Sequence, residues 1–174
     1  MSESFDSGLV MQAIESQYRA ALQMLSRAIT SCPEELWLAA QPRNKFWHVA
    51  FHAVFYAHLY LHRSEAEVVP WTKYRLGYQF LGAVPHPRYA GIVIDTPYSK
   101  AEVLEFLDLC CNELGALMRS AAMDAPSGFF WLPFSRLEAH LYNIRHIQHH
   151  TGQLLDRLRA AGEIEIPWVI AGQR

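Results

Sequence analysis

The sequence predicts an all-α protein, an up-and-down four-helix bundle with one long loop between the second and third helices. Four long stretches of the 174 residues carry apolar side chains at three- to five-residue steps, the period of an amphipathic helix. Two of these stretches begin with a capping-box pattern. A composition of 51% hydrophobic and 18% charged residues is typical of a globular chain. At this length the simplest organisation is one domain over residues 1–174.

The first two helices are predicted from apolar periodicity and from their flanking residues. The first spans 7–29, with apolar residues recurring from Leu9 to Ile29. Pro33 then lies just inside a short helical turn, where its missing N–H costs nothing. The second helix follows Asn44 as a predicted N-cap and ends near Arg63.

The last two helices are predicted from their N-terminal signals. The third helix begins at Ser99, with Glu102 three positions later, and continues to about residue 123. The fourth helix begins at Ser135, with Glu138 three positions later, and ends at Gly162. The connection 65–98 is rich in proline, glycine and aromatic residues, and a loop of that length in a compact domain is usually functional. We expect its aromatic side chains to pack against the bundle, and the C-terminal tail to run back along it.

Charge and cysteine content narrow the functional classes. A formal net charge of −2 gives no electrostatic footprint for nucleic acid or an anionic membrane. No apolar run reaches the roughly 18–20 residues of a membrane span, and the N-terminal residues are acidic and polar rather than signal-like. The cysteines Cys32, Cys110 and Cys111 are odd in number, and adjacent helical residues point about 100° apart, which disfavours a disulfide. These features predict a reduced, cytoplasmic protein.

The histidines concentrate on the second and fourth predicted helices. His146 and His150 are four residues apart beside the apolar stripe of the fourth helix, so their rings lie one above the other and can share a cation at about 2.0–2.1 Å each. His149 points away, toward solvent or a supporting position. On the second helix His48 and His52 share a face, and either can supply a third ligand, as can His62 two turns further on.

Other readings of the histidines remain possible from the residues alone. Neither Glu-x-x-His nor His-Glu-x-x-His occurs, which argues against a carboxylate-bridged di-iron site and a zincin-like protease. The remaining alternative is a bundle with polar histidine surfaces and no cofactor.

Two motifs carry a resemblance to a known family. The segment from His146 to Leu154, HIQHHTGQL, and the segment FWHVAFHAVFY resemble the metal-binding motifs of the DinB-like (YfiT-like) superfamily. The resemblance implies a four-helix bundle, often dimeric, with a divalent metal on three histidines. It assigns His146, His150 and, from the second helix, His52; His48 is the rival, because the spacing from the tryptophan differs from the family pattern.

Two neighbours of the last histidine also match the family. Gly152 would let a neighbouring helix approach closely, and Gln153 is positioned either to hydrogen-bond toward the site or to lie exposed on the helix.

The leading functional hypothesis is a metal-dependent enzyme. Three neutral imidazoles leave coordination positions open, which is the catalytic arrangement. By resemblance the reaction is a thiol-dependent transfer or a hydrolysis, with a small-molecule substrate and a low-molecular-weight thiol as cosubstrate. Zinc or nickel is favoured, and iron and manganese stay open. Beyond the metal no catalytic residue is assigned; His58 is a spare histidine that could act as a base, and Trp71, Tyr74 and His86 either contact substrate or pack.

The alternative hypothesis is a non-catalytic, dimeric metal-binding or stress-response module. A structural metal site tends to close with a fourth protein ligand, and His48 or His58 is available for that role. The apolar run 129–134 is a candidate surface for the homodimer that both hypotheses expect.

Overall fold

The computed structural model describes residues 7–40, 43–82 and 86–172, and within these ranges the protein is all-helical. The described chain contains five α-helices, α1 (Ser7–Ser31), α2 (Glu34–Leu38), α3 (Phe46–Leu59), α4 (Lys100–Met118) and α5 (Arg136–Gly162). Two short 3₁₀ turns, Glu65–Glu67 and Pro87–Tyr89, lie between α3 and α4.

The four long helices share one hydrophobic core. Helices α1 and α3 each pack against both α4 and α5. Helix α3 also contacts α2, so it has helical neighbours on several sides. Of the 14 residues of α3, 11 are buried, including two of its histidines. A helix buried on nearly all sides must find partners for its polar side chains, because an unpaired polar group in the interior is costly.

The helix starts agree with the sequence better than the ends do. Ser99 and Glu102 form both halves of the predicted capping box at α4, and Ser135 accepts from the backbone N–H of Glu138 at α5. The predicted cap at Asn44 is wrong: the N-cap of α3 is Lys45, without a side-chain hydrogen bond. Pro33 is likewise the N-cap of α2 rather than its first residue.

Two predicted helices extend too far. α3 ends at Leu59 and α4 at Met118, rather than near residues 63 and 123. Apolar periodicity continues past both ends because Leu61 and Met123 pack into the core from turns, and no glycine or proline marks the stop. α5 ends at Gly162 as predicted, and Glu163 takes the left-handed conformation, with φ of 55°.

The segment between α3 and α4 packs down, as its aromatic residues predict. Trp71, Tyr78, Tyr89 and Tyr98 are buried. The Trp71 ring stacks on Phe106 of α4 with centroids 4.9 Å apart. This packing fixes the backbone carbonyls of residues 78 and 79 against α3.

The connection between α4 and α5 packs against the C-terminal end of α3 and the turn that follows it. Gly128 has φ of 86°, and a Cβ there would lie 1.6 Å from the carbonyl oxygen of Arg63, so only glycine fits. Phe129 and Leu132 then pack on Leu59 and its neighbours, while Phe130 is 92% exposed.

The C-terminal tail returns along α1, as expected. The side chain of Gln17 donates to the carbonyl oxygen of Ile170. The backbone N–H of Gly172 donates to the carbonyl oxygen of Ser16. None of the described helices is both long and apolar enough to cross a membrane.

Candidate metal centre

His52, His146 and His150 lie together in the space between α3 and α5. Their ligand atoms all fall within 4.8 Å of one another. The Nε2 atoms of His52 and His146 are 3.1 Å apart, and the ring of His150 is 4.5 Å and 4.6 Å from the other two, centroid to centroid. His150 is buried and the other two are half-buried, so the group lies at the edge of the core with a path to solvent.

Hydrogen bonds select the tautomer of two of these imidazoles. His52 Nδ1 lies 2.6 Å from the carbonyl oxygen of Gln79, which only accepts, so Nδ1 carries the proton. His150 Nδ1 donates to Oε1 of Gln153 at 2.9 Å. In both neutral rings the lone pair is therefore on Nε2. A backbone carbonyl or amide oxygen behind the ring is the usual means of orienting a ligating histidine.

The spacing of the nitrogens fits a shared cation. Imidazole nitrogens bind zinc at about 2.0–2.1 Å, which places two donors about 2.8–3.4 Å apart for right to tetrahedral angles. The 3.1 Å between His52 and His146 lies in that range. Nδ1 of His146 has no hydrogen-bond partner among the described residues, so no acceptor behind this ring selects its tautomer.

Burial keeps the three rings neutral. It lowers the pKa of His52 to about 3, helped by the nearby His150, and it lowers the pKa of His146 to about 3 for the same two reasons. The pKa of His150 is also lowered by burial, although the hydrogen bond that His150 donates to Gln153 opposes the shift. At neutral pH the three rings are therefore uncharged, and each can offer one lone pair to a cation.

Tyrosines form one wall of the site and were not among the residues predicted from the sequence. The ring of Tyr56 is 4.7 Å from His52 and 5.5 Å from His146, and the ring of Tyr142 lies nearly parallel to His146 at 6.4 Å. Burial raises the pKa of Tyr56 well above its usual range, so its phenol stays protonated. Each tyrosine is four residues from a histidine of the group, a spacing that could have identified it.

The other histidines have different places. His48, the rival of His52, donates from Nε2 to the carbonyl oxygen of Tyr78 at 2.7 Å and stacks on Trp47. His149 is exposed and accepts from Gln153 at 3.1 Å. His58, considered as a base or fourth ligand, belongs with His62 and Glu113 to a separate group.

Of the three loop residues considered for substrate contact, Trp71 and Tyr74 pack against the bundle and His86 is exposed. Trp71 donates to Glu105 as well as stacking, and Tyr74 stacks on Phe55 and donates to Gln79. His86 is exposed and its ring accepts from the backbone N–H of Arg88.

Within the described chain, no neighbouring helix makes the close approach expected at Gly152. A Cβ built on it would meet nothing within 4 Å in the described chain, because the residue faces outward on α5.

Comparison with protein families gives a match over most of the chain. The family model described as DinB superfamily matches residues 17–154, which include all three clustered histidines. The chain belongs to the DinB superfamily. Neither the curated proteins nor the solved structures contain a significant match. Membership in the superfamily fits a histidine group that can hold a metal, and it leaves the reaction open.

Proposed function

We propose that this DinB-superfamily chain is a metal-dependent enzyme in which His52, His146 and His150 hold a divalent cation. The observation that carries the proposal is the convergence of three neutral imidazoles, two of them held in the tautomer that leaves the lone pair on Nε2. When bound, the cation supplies a Lewis acid that activates water or a thiol. Zinc or nickel is our first choice, and iron or manganese also suit imidazole ligands.

The chain's own residues orient the ligands and restrict solvent. The carbonyl of Gln79 and the amide of Gln153 fix two rings from behind. Tyr56 and Tyr142 cover the His146 side of the group with aromatic surface. By resemblance to the family, we propose a thiol-dependent transfer or a hydrolysis, with a low-molecular-weight thiol as the cosubstrate in the first case.

The absence of a closing ligand favours catalysis over a purely structural metal. Over residues 7–40, 43–82 and 86–172, no fourth histidine, cysteine, aspartate or glutamate joins the group. Three protein ligands leave room for an exogenous ligand, whereas structural zinc sites carry four. A non-catalytic metal-binding or stress-response module would be favoured if spectroscopy on the metal-loaded protein revealed four protein ligands and no exchangeable water.

Metal analysis tests the proposal directly. Tag-free protein should contain or take up about one divalent metal through this group, and His150→Ala should remove that equivalent because it deletes the buried ligand. His149→Ala is the matched control, since it removes the adjacent exposed ring and should leave the metal in place. If wild-type protein takes up no Zn²⁺, Ni²⁺ or Mn²⁺, the proposed function fails.

The finer architecture belongs to the same proposal. We propose that the four long helices form an up-and-down bundle and that residues 1–174 are one domain, which the packing of α1 and α3 on both α4 and α5 supports. A cytoplasmic location stays a prediction from the sequence.

We also propose a homodimer. Phe130 is 92% exposed and Trp131 is 37% exposed at the tip of the α4–α5 connection, an apolar surface suited to burial against a second copy. Light scattering at micromolar concentration should give about twice the 19.9 kDa of one chain. Phe130→Ser should then favour the monomer; a monomeric wild-type protein would contradict this proposal.

A further inference from the structure

A second group of side chains that can ligate a metal lies on a different face of α3, toward α4. His58 and His62, four residues apart at the end of α3 and in the turn after it, face Glu113 of α4. Their ligand atoms also lie within 4.8 Å of one another. His58 is six residues after His52, which places it about 9 Å further along the helix and about 240° around it. The two groups are therefore separate, one facing α5 and the other α4.

We propose that His58, His62 and Glu113 form a second divalent-cation site, for a transition metal of the zinc and iron class. Two imidazoles and a carboxylate are a ligand set used for catalytic zinc and for non-haem iron(II). Neither the superfamily match nor the three-histidine group requires this site. It stands on its own geometry.

A ring nitrogen of a neutral imidazole carries either a proton or a lone pair, so one proton on His58 Nε2 serves the carboxylate strongly and His62 only weakly. His58 Nε2 lies 2.8 Å from Oε2 of Glu113 and 3.4 Å from Nε2 of His62. If His58 Nε2 carries a proton and donates it to Glu113, it has no lone pair to accept from His62. If His62 donates instead, the bare nitrogen of His58 faces the carboxylate at hydrogen-bond distance. One cation would engage the lone pairs of all three groups at once.

Burial and charge support a cation with an open side. His58 and His62 are 3% and 8% exposed, so their ring nitrogens have little access to bulk water, while the Glu113 side chain is 42% exposed and keeps a route to solvent. The carboxylate offsets the charge of a cation. Arg136, buried nearby, opposes it electrostatically but directs its Nη atoms to the carbonyl oxygens of Ser127 and Leu61.

Zinc binding in a variant without the first site isolates the second. The double variant His146→Ala/His150→Ala, verified as folded by circular dichroism, should bind one Zn²⁺ per chain in equilibrium dialysis. Adding Glu113→Gln should weaken that binding by at least about tenfold, since loss of a ligand should cost no less than loss of a supporting partner. Asp108→Asn is the matched control, because it removes an exposed carboxylate from the same helix. A folded double variant that binds no Zn²⁺, or binds it equally with Glu113→Gln, overturns the proposal.

A single variant covers the case in which the double variant does not fold. Glu113→Gln in the otherwise wild-type chain changes a partly exposed side chain by one atom and should preserve the fold. It should contain one Zn²⁺ fewer per chain than Asp108→Asn when both are dialysed at a free Zn²⁺ concentration that just fills the sites of Asp108→Asn. Equal stoichiometry in these two variants also overturns the second site, whereas the His150→Ala comparison reports separately on the first.

Discussion

His150 is held in its ligating tautomer by one neutral side chain, the amide of Gln153. Oε1 of Gln153 accepts from His150 Nδ1, and the amide nitrogen of the same group donates to His149. Gln153 is itself exposed, so the fold does not depend on it. Its contribution to the site can therefore be measured without unfolding the protein.

We predict that Gln153→Leu lowers metal affinity by about 10–100-fold, the usual effect of removing the hydrogen-bond partner of a ligating histidine. Gln153→Glu keeps an acceptor for Nδ1 and should retain most of the affinity. Competition with a chelator of known affinity measures both. Equal weakening by His149→Ala would show that the effect passes through His149 instead.

The spacing of residues in the sequence could not decide between His48 and His52 as the ligand from α3. Their four-residue spacing predicts a shared face, and the resemblance to the family favoured His52. The choice depends on two carbonyls from the segment after α3: that of Tyr78 engages His48, and that of Gln79 orients His52 toward α5. Carbonyls of a long irregular segment leave no sequence pattern, so these contacts could not be predicted.

At the scale of elements, helix starts were predictable because their signals are local. Ser99 and Ser135 hydrogen-bond within their own first turns, so a four-residue pattern is enough to find them. The ends of α3 and α4 depend on how the turns that follow them pack in the tertiary structure. Apolar residues recur at the helical period through those turns as well, so the period does not mark where either helix ends.

Gly152 gives an element-scale prediction. In the described chain no atom lies within 4 Å of the position of its Cβ, so Gly152→Ala should stabilise α5 by about 0.5–1 kcal/mol through lower backbone entropy in the unfolded chain. Urea denaturation of the metal-free protein measures the change in the free energy of unfolding. A destabilised variant would mean that another copy, or a part of the chain outside the described residues, approaches this face of α5.

At the scale of the whole molecule, the composition and periodicity predicted an all-helical protein, and the structure confirms it over the described residues. Less predictable was how many histidines would be buried far from solvent. His140 is 0% exposed between α1 and α5, where its Nδ1 shares a hydrogen bond of 3.1 Å with the Tyr18 hydroxyl. Helical angle alone does not distinguish such a core histidine from a ligand.

His140 should make the protein sensitive to acid. Burial, aided by the charge of Arg136, lowers the pKa of His140 to about 4, below its value of about 6.5 in the unfolded chain. Between these values the unfolded state binds the proton and the folded state does not, so the contribution is full above pH 6.5 and is lost as the pH falls toward 4. The total loss is about 3 kcal/mol for a shift of this size.

His140→Asn, which keeps an acceptor near the Tyr18 hydroxyl but does not titrate, should be less stable at pH 7. The same variant should flatten the dependence of unfolding free energy on pH between 6.5 and 4. Chemical denaturation of the metal-free proteins across that range measures both slopes, and parallel slopes would mean that His140 is already protonated in the folded state.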